Sequence, residues 1–247
     1  GGSQGLEEAA LKNVNAVFVW GGYEAVQSYR KIAPIDVRVE GFGPKTSVGL
    51  VFESCVLNEG MDAVAQRAAT DASLWDQAAC SSLHTLYFIA PAKKHKALAA
   101  EFLKAARKHF TQLAKELPPG KLSPDEMVEI NKARQLARVD SALGNASYES
   151  SAPATDWTVI YEKDPVYRVS PLNRVLYVKT VESLEEVRDR LLPMRGYIQT
   201  VGVGGSIERK KVMEVLGPAG IARIVRLGKM LEESNGSQHD GIFPMIS

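Results

Sequence analysis

Residue types that would assign a protein to a broad class are scarce in this sequence. Its 247 residues include 2 cysteines, too few for a disulfide framework, which favours a reducing compartment such as the cytoplasm. The 2 cysteines and 4 histidines are scattered without ligand spacing, so we predict no metal site. The sequence has no apolar run of about 18 residues and no apolar leader with a cleavage site, which predicts neither a membrane span nor export.

The sequence also has no large excess of positive or negative charge. Lysine plus arginine number 30 and aspartate plus glutamate 29, which leaves a formal net charge of +1. This balance gives no electrostatic basis for binding nucleic acid or an anionic membrane. The composition is that of a globular protein, 45% hydrophobic and 24% charged, with room for one large domain or two small ones.

Apolar runs and helical repeats alternate along the chain. Strands are predicted in the runs NAVFVWGG, IDVRVEGFG, KTSVGLVFE continuing toward Cys55, LHTLYFIAP, WTVIYE, RVLYVKTV, YIQTVGV and IARIVR. Helices are predicted in LEEAALKN, YEAVQSYRKIA, the repeat from Met61 to Trp75, KKHKALAAEFLKAARKHFTQLAKEL, the segments capped by Ser123 and Ser183, and IERKKVMEVL. Residues 145–155 are predicted to form a loop. The alternation indicates an α/β fold with a mostly parallel sheet flanked by helices.

The segment LWDQAACSS, residues 74–82, contains the strongest candidate for chemistry. Cys80 follows a predicted helix among small residues, so its thiol can face a cleft and meet a substrate. A thiolate there would act as a nucleophile, and a local peptide N–H would hold a developing oxyanion. On position alone, inert packing is the alternative for Cys80, and it is the preferred interpretation for Cys55.

Other polar positions give weaker signals. Glu40 precedes the glycine turn EGFGPK at the predicted end of a strand, where a carboxylate is either a general base with a raised pKa or a solvated strand-end residue. His84 follows Cys80 on the next strand, and strand geometry predicts that the two side chains are separated. The segment GVGGSIERK is either a phosphate-binding helix start or an ordinary turn capped by Ser206.

Four segments together resemble one family. In chain order they are FVWGGYEAV, EGFGPK, WDQAACSS and RLGKMLEESNGSQHDG, and they are similar to segments of the acyl-CoA reductase branch of the aldehyde dehydrogenase superfamily, typified by the fatty-acyl reductase of bacterial bioluminescence. The resemblance implies an aldehyde dehydrogenase-like catalytic domain at residues 46–230. It also implies the remnant of a Rossmann-like, dinucleotide-binding domain at residues 1–45 and a tail at 231–247. We therefore expect the C-terminal, cysteine-bearing portion of a longer reductase.

The resemblance also implies roles for individual residues. Cys80 matches the catalytic cysteine of the family, and Glu40 matches its catalytic glutamate. Gly21 and Gly22 stand where the family has a turn close to the nicotinamide. Gly2 and Ser3 match the start of the helix that meets the cofactor pyrophosphate. The implied cofactor is NADPH or NADH.

The implied activity is reduction of an acyl-CoA or other acyl thioester, with a long acyl chain expected, to the aldehyde through an acyl-cysteine intermediate. A homo-oligomer and an acyl-transferring partner enzyme are expected alongside the acyl thioester substrate. Two alternatives remain open. A cysteine acyltransferase or thioesterase would use the same thiol without a nicotinamide, and an oligomerisation module derived from the reductase would have no catalytic role.

Overall fold

A computed structural model describes residues 4–205 and 209–232. The chain divides into two compact units, residues 1–45 and 46–247, and each is considered by itself. The predictions made for Gly2, Ser3 and Ser206, and for the tail beyond residue 232, lie outside the described residues.

The first unit is a small α/β assembly built on two parallel strands. Its elements in chain order are α1 (Gln4–Leu11), β1 (Ala16–Trp20), α2 (Tyr23–Ile32) and β2 (Arg38–Phe42). Helix α2 buries Val26, and a Cβ at Gly41 of β2 would lie 2.4 Å from a Val26 methyl group. The glycine therefore allows α2 to pack closely on β2.

The second unit contains a seven-stranded sheet in the order β5-β6-β7-β4-β3-β8-β9. Every neighbouring pair is parallel except β5 and β6. The strands are β3 (Thr46–Phe52), β4 (Leu83–Ile89), β5 (Ala146–Ser150), β6 (Thr158–Glu162), β7 (Val175–Val181), β8 (Ile198–Gly204) and β9 (Arg223–Arg226). Strands β4, β7 and β8 are buried along their whole length, as expected for a parallel sheet covered on both faces.

Helices cover both faces of this sheet. They are α3 (Glu53–Glu59), α4 (Met61–Ser73), α5 (His95–Glu116), α6 (Pro124–Ala142), α7 (Leu184–Leu191) and α8 (Arg209–Leu216). Successive β4 residues point to opposite faces: Leu86 packs with the cluster of α4 and α5, and Tyr87 with that of α7 and α8. The predicted α/β class with a mostly parallel, helix-flanked sheet is confirmed.

Two local predictions were wrong. Cys55 lies inside α3 rather than on a continuation of β3, because the chain turns into a helix after Phe52 with Glu53 in the first turn. The predicted loop at residues 145–155 contains β5, which pairs antiparallel with β6. An edge strand of this kind is exposed on one side and needs few apolar side chains, so its sequence resembles a loop.

No helix among residues 4–205 and 209–232 combines the length and the hydropathy needed to cross a bilayer.

Candidate active site

Cys80 lies in a tight turn at the amino end of β4, which runs between β7 and β3 in the sheet. A four-residue segment, Leu74–Gln77, separates α4 from this turn. The Ser82 N–H donates to the Ala79 carbonyl at 2.9 Å, which closes a four-residue β-turn around Cys80. The cysteine is half-buried, with its Sγ 3.9 Å from the Ser81 hydroxyl. The turn therefore presents a thiol that is neither sealed in the core nor fully solvated.

Two segments have left-handed backbone, and one of them lies just before this turn. Trp75, Asp76 and Gln77 have φ values of 56°, 48° and 65°, and residues 172–174 have 67°, 54° and 62°. Side chains make this region of backbone space costly, by about 1–3 kcal/mol per residue, so surrounding contacts must maintain it. Strained segments of this kind cluster at functional sites.

The two left-handed segments hold each other in place. The Asn173 N–H donates to the Asp76 carbonyl at 2.9 Å, and Arg174 Nε donates to Asp76 Oδ1 at 2.6 Å. The second carboxylate oxygen of Asp76 accepts from the Gly120 N–H at 2.9 Å. Arg174 is only 1% exposed, so Asp76 neutralises a charge that has almost no contact with water.

Gln77 continues this connection toward the turn. Its side chain is buried, and Nε2 donates to the carbonyls of Leu83 and Val175 at 2.7 and 3.1 Å. Its Oε1 accepts from the Ser170 hydroxyl at 3.3 Å. The amide therefore connects the segment before Cys80 to the starts of β4 and β7.

The second cysteine has a different environment. Cys55 is 2% exposed and its Sγ lies 3.7 Å from Glu59 Oε1. Burial, with the negative charge of Glu59 as a smaller cause, raises the pKa of this thiol to about 11. Cys55 is therefore protonated at neutral pH, consistent with the packing role predicted for it.

Glu40 lies in the first unit, whereas Cys80 lies in the second. It is the middle residue of β2, which continues to Phe42, so the prediction that the strand ends at Glu40 was wrong. The backbone pairing with β1, where Glu40 is opposite Phe18, extends the strand through Gly41. The half-buried carboxylate forms an ion pair with Arg38 on the same face of the strand.

Gly21 and Gly22 connect β1 to α2 in the first unit. A Cβ at Gly21 would lie 2.9 Å from the Ala25 Cβ, so a larger residue would disturb the start of the helix. A Cβ at Gly22 would have no heavy atom within 4 Å, and no side chain caps the N-terminus of α2. The helix therefore begins with open peptide N–H groups, and the expectation that this turn lies close to the nicotinamide stays a prediction.

His84 is not arranged as a base for Cys80. It is 4% exposed, and apart from a weak interaction with the Gln77 backbone its ring nitrogens have no hydrogen-bond partner in the described part of the chain. Burial lowers its pKa to about 4, so the ring is neutral at physiological pH. Likewise, no group of three or more potential metal ligands occurs among residues 4–205 and 209–232.

Sequence reasoning missed Asp71, the buried carboxylate of α4. It is 1% exposed, and its oxygens accept from the N–H groups of Gly228 and Met230 at 2.5 and 3.1 Å. Burial raises its pKa to about 6, although the two hydrogen bonds lower it. Asp71 thereby connects α4 to the segment after β9, and nothing in the helical pattern of α4 indicated that role.

The pKa shifts of His84 and Asp71 predict opposite effects of acid on the stability of the fold. The folded-state pKa of His84 is depressed. Its contribution to the free energy of unfolding is therefore present above pH 6.5 and is lost as pH falls through about 4. The folded-state pKa of Asp71 is raised, so its contribution is present below pH 3.8 and is lost as pH rises through about 6. Each pKa difference corresponds to roughly 3 kcal/mol, so the two nearly cancel in the wild type.

Single substitutions separate the two contributions. We expect His84→Leu to gain roughly 3 kcal/mol of unfolding free energy relative to wild type on going from neutral pH to pH 4, and Asp71→Asn to lose a similar amount. Urea unfolding followed by circular dichroism at several pH values measures this. Parallel pH profiles for wild type and both variants would contradict the assignment.

Solved structures with a similar fold include aldehyde dehydrogenases. Methylmalonate-semialdehyde dehydrogenase (DddC) from Oceanimonas doudoroffii matches with a TM-score of 0.68 at 13% identity, covering 95% of this chain and 50% of that one. An NAD-dependent aldehyde dehydrogenase from Sinorhizobium meliloti matches with a TM-score of 0.60 at 13% identity, covering 96% and 48%. The protein therefore has the aldehyde dehydrogenase fold.

The chain belongs to the acyl-CoA reductase (LuxC) family, whose model matches residues 1–247. A long-chain acyl-protein thioester reductase from Aliivibrio fischeri is 27% identical over 243 residues, covering 97% of this chain and 47% of that protein. The enzyme of the same name from Photorhabdus luminescens is 28% identical over 248 residues, covering 99% and 47%. The chain thus spans about half the length of the curated relatives it matches.

Proposed function

We propose that this chain is the cysteine-bearing part of an NAD(P)H-dependent reductase that converts a long-chain acyl thioester to the aldehyde through an acyl-cysteine on Cys80. The observation that carries the proposal is the half-buried thiol on a constrained turn at the amino end of β4. Membership of the acyl-CoA reductase family supports the reaction class. The relatives' name, long-chain acyl-protein thioester reductase, favours a long acyl chain and admits a protein as well as CoA as the thiol carrier.

The proposed chemistry at Cys80 is nucleophilic acyl transfer. The thiolate attacks the thioester carbonyl carbon, a new carbon–sulfur bond forms, and the negative charge moves to the carbonyl oxygen. Peptide N–H groups of the turn stabilise that oxyanion. When the oxyanion collapses, the original carbon–sulfur bond breaks and the carrier leaves as a thiolate. That thiolate takes up from solvent a proton equivalent to the one the Cys80 thiol lost on ionisation, and the acyl group remains on Cys80.

The first unit contributes the cofactor site in this proposal. Gly21 and Gly22 leave open backbone next to the α2 N-terminus, and Gly2 and Ser3 are assigned to the pyrophosphate by the family resemblance alone. The chemistry that a reduced nicotinamide would supply, when one is bound, is the hydride needed to reduce the acyl group to an aldehyde. Cytoplasmic localisation, a homo-oligomeric state and an acyl-transferring partner enzyme stay predictions.

Radiolabelled long-chain acyl-CoA tests the function. Without NADPH, the protein should retain covalent label; with NADPH, the label should be recovered as aldehyde. Release of free fatty acid without NADPH would instead indicate a thioesterase, and transfer to an added thiol or alcohol an acyltransferase. Absence of covalent label under both conditions would favour a non-catalytic module.

We expect Glu40 to carry protons during turnover rather than to assist acylation. Glu40→Gln should therefore acquire the covalent label as the wild type does and release aldehyde more slowly, by about a hundredfold or more. Single-turnover labelling and steady-state aldehyde release measure the two steps. Glu129→Gln, which changes an exposed carboxylate of α6, is the control. Aldehyde release at the wild-type rate by Glu40→Gln would remove Glu40 from the mechanism.

A further inference from the structure

The carbonyl groups on both sides of the Cys80 side chain are held by hydrogen bonds. The Ala79 carbonyl accepts from the Ser82 N–H within the turn, at 2.9 Å. The Cys80 carbonyl accepts from the Ser47 hydroxyl at 2.7 Å. The first bond is internal to the turn, whereas the second comes from a different strand. Ser47 therefore helps to fix the orientation of the Cys80 peptide relative to the sheet.

Ser47 is fully buried and uses its hydroxyl in two directions. While its Oγ donates to Cys80, the same oxygen accepts from the Thr200 N–H of β8 at 2.9 Å. The Thr200 hydroxyl in turn donates to Ser81 at 3.4 Å and accepts from Arg223 Nε at 3.2 Å. The turn that carries the cysteine is thus connected through one serine to the backbone of β8.

Strand register explains why a serine is needed at this position. Between the pairs Ser47↔Leu83 and Val48↔Thr85, strand β4 contains one extra residue, His84. On the other side of β3, Thr46 pairs with Ile198 and Val48 with Val201, so β8 also contains one extra residue over this stretch. The regular ladder is interrupted on both sides of Ser47, and bulges of this kind re-aim the chain next to active sites. The serine hydroxyl pairs the Thr200 N–H that the ladder leaves without its regular partner.

We propose that Ser47 is a positioning residue for acyl transfer to Cys80. A peptide is planar and trans, so fixing the Cys80 carbonyl also fixes the Ser81 N–H on the opposite side of the same plane. Ser47 holds this peptide where its N–H stabilises the oxyanion that forms when Cys80 attacks a thioester. The inference rests on the proposed function of Cys80 and assigns the oxyanion interaction a structural origin.

Two reactions of the same thiol separate this role from general support of the fold. Acylation by long-chain acyl-CoA passes through an oxyanion, whereas alkylation by iodoacetamide displaces iodide and forms none. In Ser47→Ala we expect the rate of Cys80 acylation to fall by roughly tenfold or more, because a misdirected oxyanion donor loses much of its effect. The rate of Cys80 alkylation should match the wild type.

Ser73→Ala provides a matched control. Ser73 is also buried, at 1% exposure, but its hydroxyl has no hydrogen-bond partner in the described part of the chain. This control should acylate and alkylate as the wild type does. A parallel fall of both rates in Ser47→Ala, or no fall in either, would overturn the inference.

The same measurements distinguish failure of the proposed function from failure of the inference about Ser47. If the wild type itself takes no label on Cys80, as shown by peptide mapping, the proposed function and the inference fail together. If the wild type is labelled on Cys80 and Ser47→Ala is labelled equally fast, the inference alone fails.

Discussion

Replacing Cys80 by alanine is expected to abolish covalent acylation, while replacing Cys55 by alanine leaves it intact. Only the Cys80 thiol is half-exposed and set in a turn whose peptide groups can meet a substrate carbonyl. Cys55 is sealed in α3, where burial raises its pKa to about 11 and leaves little thiolate at neutral pH. The two substitutions therefore remove the same functional group from two different environments, and each serves as the control for the other.

The measurement is the amount of radiolabel bound after incubation with long-chain acyl-CoA. Label that hydroxylamine removes identifies a thioester, and peptide mapping identifies the cysteine. Cys80→Ala should retain no hydroxylamine-sensitive label, and its aldehyde production should fall by at least about a thousandfold, as expected when a covalent nucleophile is lost. Equal label on Cys80→Ala and the wild type would falsify the acyl-cysteine mechanism.

The large elements of the fold were predictable because their signals are local. Buried parallel strands such as LHTLYFI are rich in apolar residues, and α6 begins at Ser123 with the capping box that the sequence predicts. The position of Cys80 at a connection between elements was also predicted from neighbouring residues. Its assignment as a nucleophile depended on the order of several short segments resembling one family.

The supports of the candidate site were not predictable because their partners are distant in sequence. Arg174 meets Asp76 across 98 residues, and Ser47 meets Thr200 across 153. No local pattern relates such positions. The left-handed backbone at Trp75 was equally hidden, since tertiary contacts rather than glycine maintain it. Local chemistry thus indicates where the thiol is, and long-range pairing determines how it is held.

Replacing Asp76 by alanine is expected to destabilise the second unit and to slow acylation of Cys80. The Arg174 guanidinium would lose its carboxylate partner while remaining buried, and the Gly120 N–H would lose its acceptor. Removing one partner of a buried ion pair costs about 3–5 kcal/mol, and we expect roughly 3 because the Asp76 side chain is 27% exposed. Alanine also tolerates the left-handed backbone at this position less well than aspartate does.

Asp76→Asn and Asp189→Ala separate the causes of this loss. Asparagine keeps an acceptor oxygen and tolerates left-handed backbone, so Asp76→Asn should lose less stability than Asp76→Ala and isolate the effect of charge. Asp189→Ala removes an exposed ion pair with Arg188 and should change the unfolding free energy by less than about 1 kcal/mol. Urea unfolding measures stability, and labelling with acyl-CoA below the unfolding transition measures acylation. Wild-type stability in Asp76→Ala would show that the Asp76–Arg174 pair does not maintain the two left-handed segments, residues 75–77 and 172–174.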